Sequence, residues 1–266
     1  MKAQAKCSPK SRRAGGWWLA LAILATRVVS LAQTDEIQVY DANIAEKGKF
    51  NLMLHNNFTP VGLKEPAFPG AVESNHALVG VAEWAYGVTD WFEQGLYLPL
   101  YSFSHNDGAT YNGLKLRWLF VKPHADEHKF FYGVNFEFSI NRPQWDERHY
   151  TSEVRPIIGW HLRPIDIIVN PILDTSYVGG FKSLDFAPSV RVAYNFSPKW
   201  AGAIEEYADY GPLRQIYSAH EQSHQVWAVL NHEGKYVNIE TGIGFGLTVA
   251  SDRVTVTLRT ASVCSG

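Results

Sequence analysis

Taken at every second residue, the stretch FFYGVNFEFSINR (130–142) separates into two faces. Phe130, Tyr132, Val134, Phe136, Phe138 and Ile140 fall on one side, and Phe131, Gly133, Asn135, Glu137, Ser139 and Asn141 on the other. Period two is the side-chain period of a β-strand. The alternation recurs along the chain, interrupted by turn residues, and predicts about twelve strands, near 49–57, 76–88, 91–103, 111–122, 129–141, 151–162, 165–176, 184–196, 199–209, 223–231, 235–249 and 253–261. Strands of about ten residues suit a tilted crossing of a bilayer, whereas strands of soluble sheets are usually about half that length.

Other segments repeat the two faces. In YNGLKLRWLF (111–120), Leu114, Leu116, Trp118 and Phe120 share one side, and Lys115 and Arg117 the other. In SLDFAPSVRVAYNF (183–196), Leu184, Phe186, Val190, Val192, Tyr194 and Phe196 oppose Asp185, Ser189, Arg191 and Asn195. A soluble sheet this aromatic would need a second apolar layer to cover it, and no helical pattern is there to supply one. Turning the aromatic face to lipid removes the difficulty, and closing the sheet satisfies every backbone hydrogen bond. The fold expected is all-β: a closed antiparallel transmembrane β-barrel of about twelve strands.

The intervals support that geometry. Short turns expected in the periplasm (89–90, 122–128, 163–164, 197–198, 232–235) mostly alternate with longer outside loops (58–75, 104–109, 142–150, 177–183, 210–223). Trp84, Tyr86, Trp91, Trp118, Phe120, Phe130, Tyr132, Trp160, Tyr194, Phe196 and Trp200 gather near the short-turn ends. Their common depth reads as an interfacial aromatic girdle. Pro156, Pro171 and Pro188 fall inside strands, where each removes a ladder donor, so a bulge or a local break is expected at each.

The N-terminus changes the compartment. Lys2, Lys6, Lys10, Arg12 and Arg13 precede the apolar run WWLALAILA (17–25), and Ser30-Leu31-Ala32 supplies a small-x-small cleavage pattern. Residues 1–32 read as a signal peptide, 33–48 as a periplasmic N-terminal segment and 49–266 as the barrel. An uncleaved anchor is the alternative, and Arg27 argues for it. Without residues 1–32 the formal charge falls from −2 to −8, which makes nucleic acid an unsuitable partner. Cys7 lies in the signal and Cys264 stands alone, so neither an intramolecular disulfide nor a lipid-bearing cysteine at the cleavage point is expected.

Candidate chemistry is thin. Ser104-His105-Asn106-Asp107 and Ser223-His224 set serine beside histidine, but neighbours on an extended chain point to opposite faces, and Asn106-Asp107-Gly108 is turn chemistry. No GxSxG elbow occurs. His124, Asp126, Glu127 and His128 could suggest a metal, yet a solvated turn explains them with fewer assumptions. Gly242, Gly244 and Gly246 alternate within a strand, leaving space on the inner wall rather than forming a nucleotide loop. No catalytic, cofactor or metal residues are predicted.

Function is therefore sought on the inner face, at Lys115, Arg117, Asn135, Glu137, Glu153, Arg155, His161, Asn170, Asp174, Asp185, Arg191, Asn195, Glu205 and Glu240. Charges of both signs at similar depth would set a strong field across a lumen and direct polar solutes past it. Paired into a network, the same charges would fill a narrow barrel. Both readings stand at this point.

Two hairpins carry a resemblance. EWAYGVTDWFEQGLYLPLY (83–101) and RVAYNFSPKWAGAIEEYADYG (191–211) resemble hairpins of the phenol-degradation-pathway family of outer-membrane transport barrels. The resemblance covers 40 residues and implies a barrel that passes or binds small molecules, often hydrophobic or aromatic, without catalytic residues. The chain departs from the usual barrel ending: after Val254, Val256 and Leu258 it reads TASVCSG instead of closing on an aromatic. The expectation is a monomeric channel or binding barrel in the cell outer membrane, whose partners are the lipid bilayer, a small-molecule solute and the outer-membrane assembly machinery. Segment 58–75 would be the constriction. The alternatives are a structural or adhesive barrel with a plugged lumen, and a membrane-embedded lipid hydrolase with serine and histidine meeting at the outer rim.

Overall fold

The computed structural model describes residues 36–262, and the expected signal peptide lies outside them. Twelve antiparallel staves form one closed sheet. They are β1 (Phe50–Val61), β2 (Ala77–Thr89), β3 (Phe92–Ser104), β4 (Gly108–Val121), β5 (Phe130–Asn141) and β6 (Tyr150–His161). β7 comes in two pieces, Ile165–Asn170 and Leu173–Thr175, as does β8, Asp185–Phe186 and Ser189–Ser197. β9 (Trp200–Asp209), β10 (Ser223–His232), β11 (Val237–Gly246) and β12 (Val254–Ser262) complete the circuit. Each stave pairs with its sequence neighbours, and β12 returns to β1 through Met53↔Ala261, His55↔Arg259 and Phe58↔Val256. Closure leaves no free edge.

The alternation sorts side chains as the period-two rule requires. Leu54, Phe58, Val192, Ile204, Ile243, Val256 and Leu258 are exposed on the outside, while His55, Glu83, Arg117, Glu137 and Glu205 are buried within. Strand ends fall within a few residues of the expected ones. The largest difference is in β1, which continues through Phe58–Val61 before the first outer loop begins.

The three strand prolines share one rung. Val154↔Leu173 and Ile158↔Val169 hold a single register, which sets Pro156 opposite Pro171. Ser189↔Asn170 and Leu173↔Phe186 likewise set Pro171 opposite Pro188. β7 and β8 break there, as expected, but β6 runs through Pro156 with no shift against β5. The break expected at Pro156 is absent because the donor it lacks faces the interrupted stave rather than intact β5. The rung is spanned in part by the Ala187 amide donating to the Ile172 carbonyl at 3.1 Å.

The interior is not simply watery. Leu119, Val121, Phe131, Ile157 and Ile168 point inward and pack with Val39, Tyr40 and Ala42. Trp227, Val229, Ala193 and Ala203 pack with Ile37. Residues 37–42, part of the stretch 33–48 expected as a periplasmic N-terminal segment, pack against these inward side chains, inside the barrel. The lower lumen therefore holds a small core, formed by a segment that alternates just enough apolar residues to fill it.

Candidate functional site: a luminal segment beneath an acidic cavity

The segment from Glu36 to Glu46 enters beside β2 and climbs the lumen. Gly48 donates to the Gly87 carbonyl at 2.7 Å and Gly87 to the Lys49 carbonyl at 3.1 Å, fixing the point of entry. A Cβ at position 87 would lie 2.3 Å from the carbonyl oxygens of Ala45 and Glu46, so only glycine lets the segment pass this close. Deeper in, the Ala45 amide donates to Glu93 Oε2 at 2.5 Å.

Tyr40 is the anchor. Its amide donates to Asn170 Oδ1 at 2.7 Å, and Asn170 Nδ2 donates to its carbonyl at 3.1 Å, so one side-chain amide satisfies both backbone groups. The phenol sits 2.6 Å from the Tyr97 hydroxyl and 3.3 Å from Glu137 Oε1. Burial, reinforced by Glu36 and Glu137, pushes this phenol well above its ordinary pKa, which keeps it a neutral donor. The Arg155 guanidinium lies 4.5 Å from the ring centre and donates to the Gln38 carbonyl at 3.1 Å.

Most residues assigned to the inner face meet in this network. Arg117 bridges Glu83 at 2.7 Å and Glu93; Lys115 reaches Glu137 at 3.5 Å; Arg155 holds Glu153 at 2.5 Å. Asn135 Nδ2 donates to Glu137 Oε1 at 2.8 Å. On the opposite wall Arg191 pairs with Glu205 and lies 3.6 Å from Glu240, and Arg259 meets Glu240 at 2.9 Å. His161 and Asn195 lie apart from the network, near the 162–164 turn, both bound to Asp166 at 2.7 Å. Asp174 and Asp185 face each other across β7 and β8, above the proline rung.

Above the segment, toward the long loops, lies a cavity of about 310 Å³. The outer loops contribute Glu65, Glu73, Asp146 and Asp252; the wall contributes Glu153, Asp174 and Asp209; Glu36 rises from below. Only Lys115 and Arg155 among its lining residues are permanently cationic. Val72, Trp145, Ile172 and Tyr207 supply apolar wall. The loop following β1 does border this space, through Leu63, Glu65 and Ala67, and its Val72 amide donates to the Gln144 carbonyl at 3.0 Å, tying it to the loop between β5 and β6.

His55, Glu83, Glu93, Tyr97, Trp227 and Arg259 were not singled out by sequence reasoning. All stand at inward positions of alternating strands, so the signal was present, but nothing local distinguished a residue that meets the luminal segment from one that meets water. Gly244 leaves the room that the Trp227 indole fills: a Cβ there would lie 2.1 Å from the ring.

The candidate chemistry of the loops resolves into turns. Ser104 Oγ donates to Asp107 Oδ2 at 2.7 Å, and Ser223 pairs with Ser251 at 3.0 Å while His224 contacts Glu206 and Gln222. Ser218 meets His220 at 3.1 Å on an exposed outer loop, but it donates to Glu221 at 2.5 Å, so the carboxylate holds the serine instead of orienting the histidine. His124, Asp126, Glu127 and His128 lie in and around a short 3₁₀ turn, Ala125–Glu127. All eleven aromatics expected at the short-turn end are exposed or half-buried, and Phe120 among them stacks on Phe92 at 4.7 Å.

No family model matches the chain, and no curated protein matches it. Solved structures match its fold. The COG4313 outer membrane channel from Pseudomonas putida F1 aligns with TM-score 0.58 and 13% identity over 85% of this chain and 99% of that one. The KdgM porin aligns with TM-score 0.54 and 7% identity over 81% and 99%, and the NanC porin with 0.51 and 8% over 82% and 100%. The chain shares the architecture of outer-membrane channel and porin barrels.

Proposed function

We propose that the protein is an outer-membrane channel for small solutes, in which the luminal segment limits passage and the acidic cavity favours cations. The observation that carries this reading is the juxtaposition of the two: a loop-walled cavity lined by eight carboxylates and two permanent cations opens directly onto Glu36 of the segment that fills the lumen. A focused negative field raises the local concentration of cations. The apolar walls at Val72, Trp145, Ile172 and Tyr207 suit solutes that are only partly polar. An acidic oligosaccharide, such as the oligogalacturonate held by the KdgM porin, would meet like charge here. The hydrophobic and aromatic solutes implied by the two resembling hairpins fit this cavity best when they carry a positive group.

The reading includes a single barrel per channel, inserted by the outer-membrane assembly machinery, and assigns no catalytic centre. It is tested in planar bilayers under a salt gradient. Wild type should give small steps whose reversal potential reports cation selectivity. Deleting residues 36–46 should raise unit conductance several-fold, while Arg117→Ala and Glu137→Ala, which loosen the network around Tyr40, should make the small steps noisier. One observation favours a second reading: the lower lumen is packed, as a structural or adhesive barrel would require. A folded deletion variant that stays electrically silent would establish that reading and overturn the channel.

A further inference from the structure

Near Tyr40, where the luminal segment meets the seam of β1 and β2, one histidine and two carboxylates converge. Glu36 of the segment, His55 of β1 and Glu83 of β2 place one candidate ligand atom each within 4.8 Å of one another, and all three side chains are buried. His55 Nε2 lies 3.0 Å from Glu83 Oε2, while Arg117 takes the other oxygen of Glu83 at 2.7 Å. Other buried polar atoms nearby also lack a hydrogen bond, among them Arg117 Nε and Asn135 Oδ1, but among the described residues Glu36 is the buried carboxylate for which both oxygens do. Its side chain is 3% exposed, yet among the described residues neither oxygen accepts a hydrogen bond. Oε1 has only Arg155 at 3.4 Å, and Oε2 has no partner.

The charge around the lumen points the same way. Among the described residues, Glu36, Glu83, Glu93, Glu137, Glu153, Glu205 and Glu240 stand against five permanent cations, Lys115, Arg117, Arg155, Arg191 and Arg259. Asp174 and Asp209 on the wall add to this acidic excess, and buried negative charge without a cation is strongly unfavourable, which favours a cation beside Glu36.

We propose that Glu36, His55 and Glu83 form a site for a divalent transition-metal ion of the zinc type, which fastens the luminal segment to β1 and β2. One imidazole nitrogen with two carboxylates is a zinc-like donor set, unlike the all-oxygen shells of calcium and magnesium. Three protein ligands leave a further position for water. Because Glu36 also borders the outer cavity, the ion has a route in from that side. Binding requires the neutral imidazole, so it competes with protons at low pH.

The test uses the full chain, folded in detergent, stripped with a chelator and titrated with zinc chloride alone by calorimetry. One zinc per chain is expected. Glu36→Gln and His55→Asn should each abolish it, and His128→Asn, in an exposed turn, should leave it unchanged. Glu36 lies on the segment and not in the wall, so Glu36→Gln should retain the heat-dependent gel mobility of a folded barrel. Cobalt(II) should give visible d–d bands in wild type that Glu36→Gln lacks. No saturable binding by wild type, or binding retained in both variants, would overturn the site. The readout is metal bound, not current, so this result and the conductance result fail independently.

Discussion

Asn170 illustrates how much of the lumen depends on single side chains. Its one carboxamide serves both backbone groups of Tyr40, as acceptor for the amide and donor to the carbonyl. Asn170→Ala leaves a buried amide without an acceptor and removes two neutral hydrogen bonds, together about 1–3 kcal/mol. The expected result is local: hydrogen exchange at the Tyr40 amide should quicken by roughly 10-fold or more, while exchange in β3 and β4 stays slow. Equal exchange in both proteins would mean that packing alone holds the segment. A second substitution acts from the wall. Gly87→Val places atoms where the Ala45 and Glu46 carbonyls now pass, so the segment should leave its entry point and unit conductance should rise toward that of the deletion variant. Neither role was legible in the sequence. Asn170 could be placed on the inner face by parity, but its partner lies 130 residues away. Gly87 stands two residues before the 89–90 turn, where nothing local marks a second stretch of chain passing over it.

Strands were more legible than anything they contain, because period two is written locally and a barrel enforces it along every stave. The misjudged positions are those where a neighbouring stave decides. Pro156 keeps its strand because the register sets it opposite Pro171, and Pro171 opposite Pro188, so three missing donors fall on one rung instead of three. The ladder is thinnest there. The Ile172 amide, beside the proline rung, should exchange faster than those at the middle of β4 and β5, whose pairing is continuous from Gly113↔Asn141 to Val121↔Gly133. Exchange mass spectrometry of the detergent-folded barrel checks this, and uniform protection across β6, β7 and β8 would show that the rung is sealed by other means. The segment 36–46 had no such local signature. Ile37 and Val39 are too few to specify an element, and their environment exists only once twelve staves have closed around them.

Considered entire, the molecule divides its apolar surface between two places: a small core inside the lower lumen and a broad band outside. Ile204 is 57% exposed at the middle of β9, and Phe196 is 62% exposed next to the turn that joins β8 to β9. By exposure alone the two are alike. If the outer band faces hydrocarbon, depth must separate them, because a cation at the midplane costs about 2–4 kcal/mol and one near the interface about 0–1 kcal/mol. Ile204→Arg should therefore lower stability in lipid vesicles, read by urea titration of the heat-modifiable form, far more than Phe196→Arg. In a water-facing barrel both substitutions would relieve an exposed apolar surface, and the two variants would fold equally well. The same pair also fixes orientation: if Phe196 lies at the interface, the turn beside it marks one membrane surface, and the acidic cavity opens at the other.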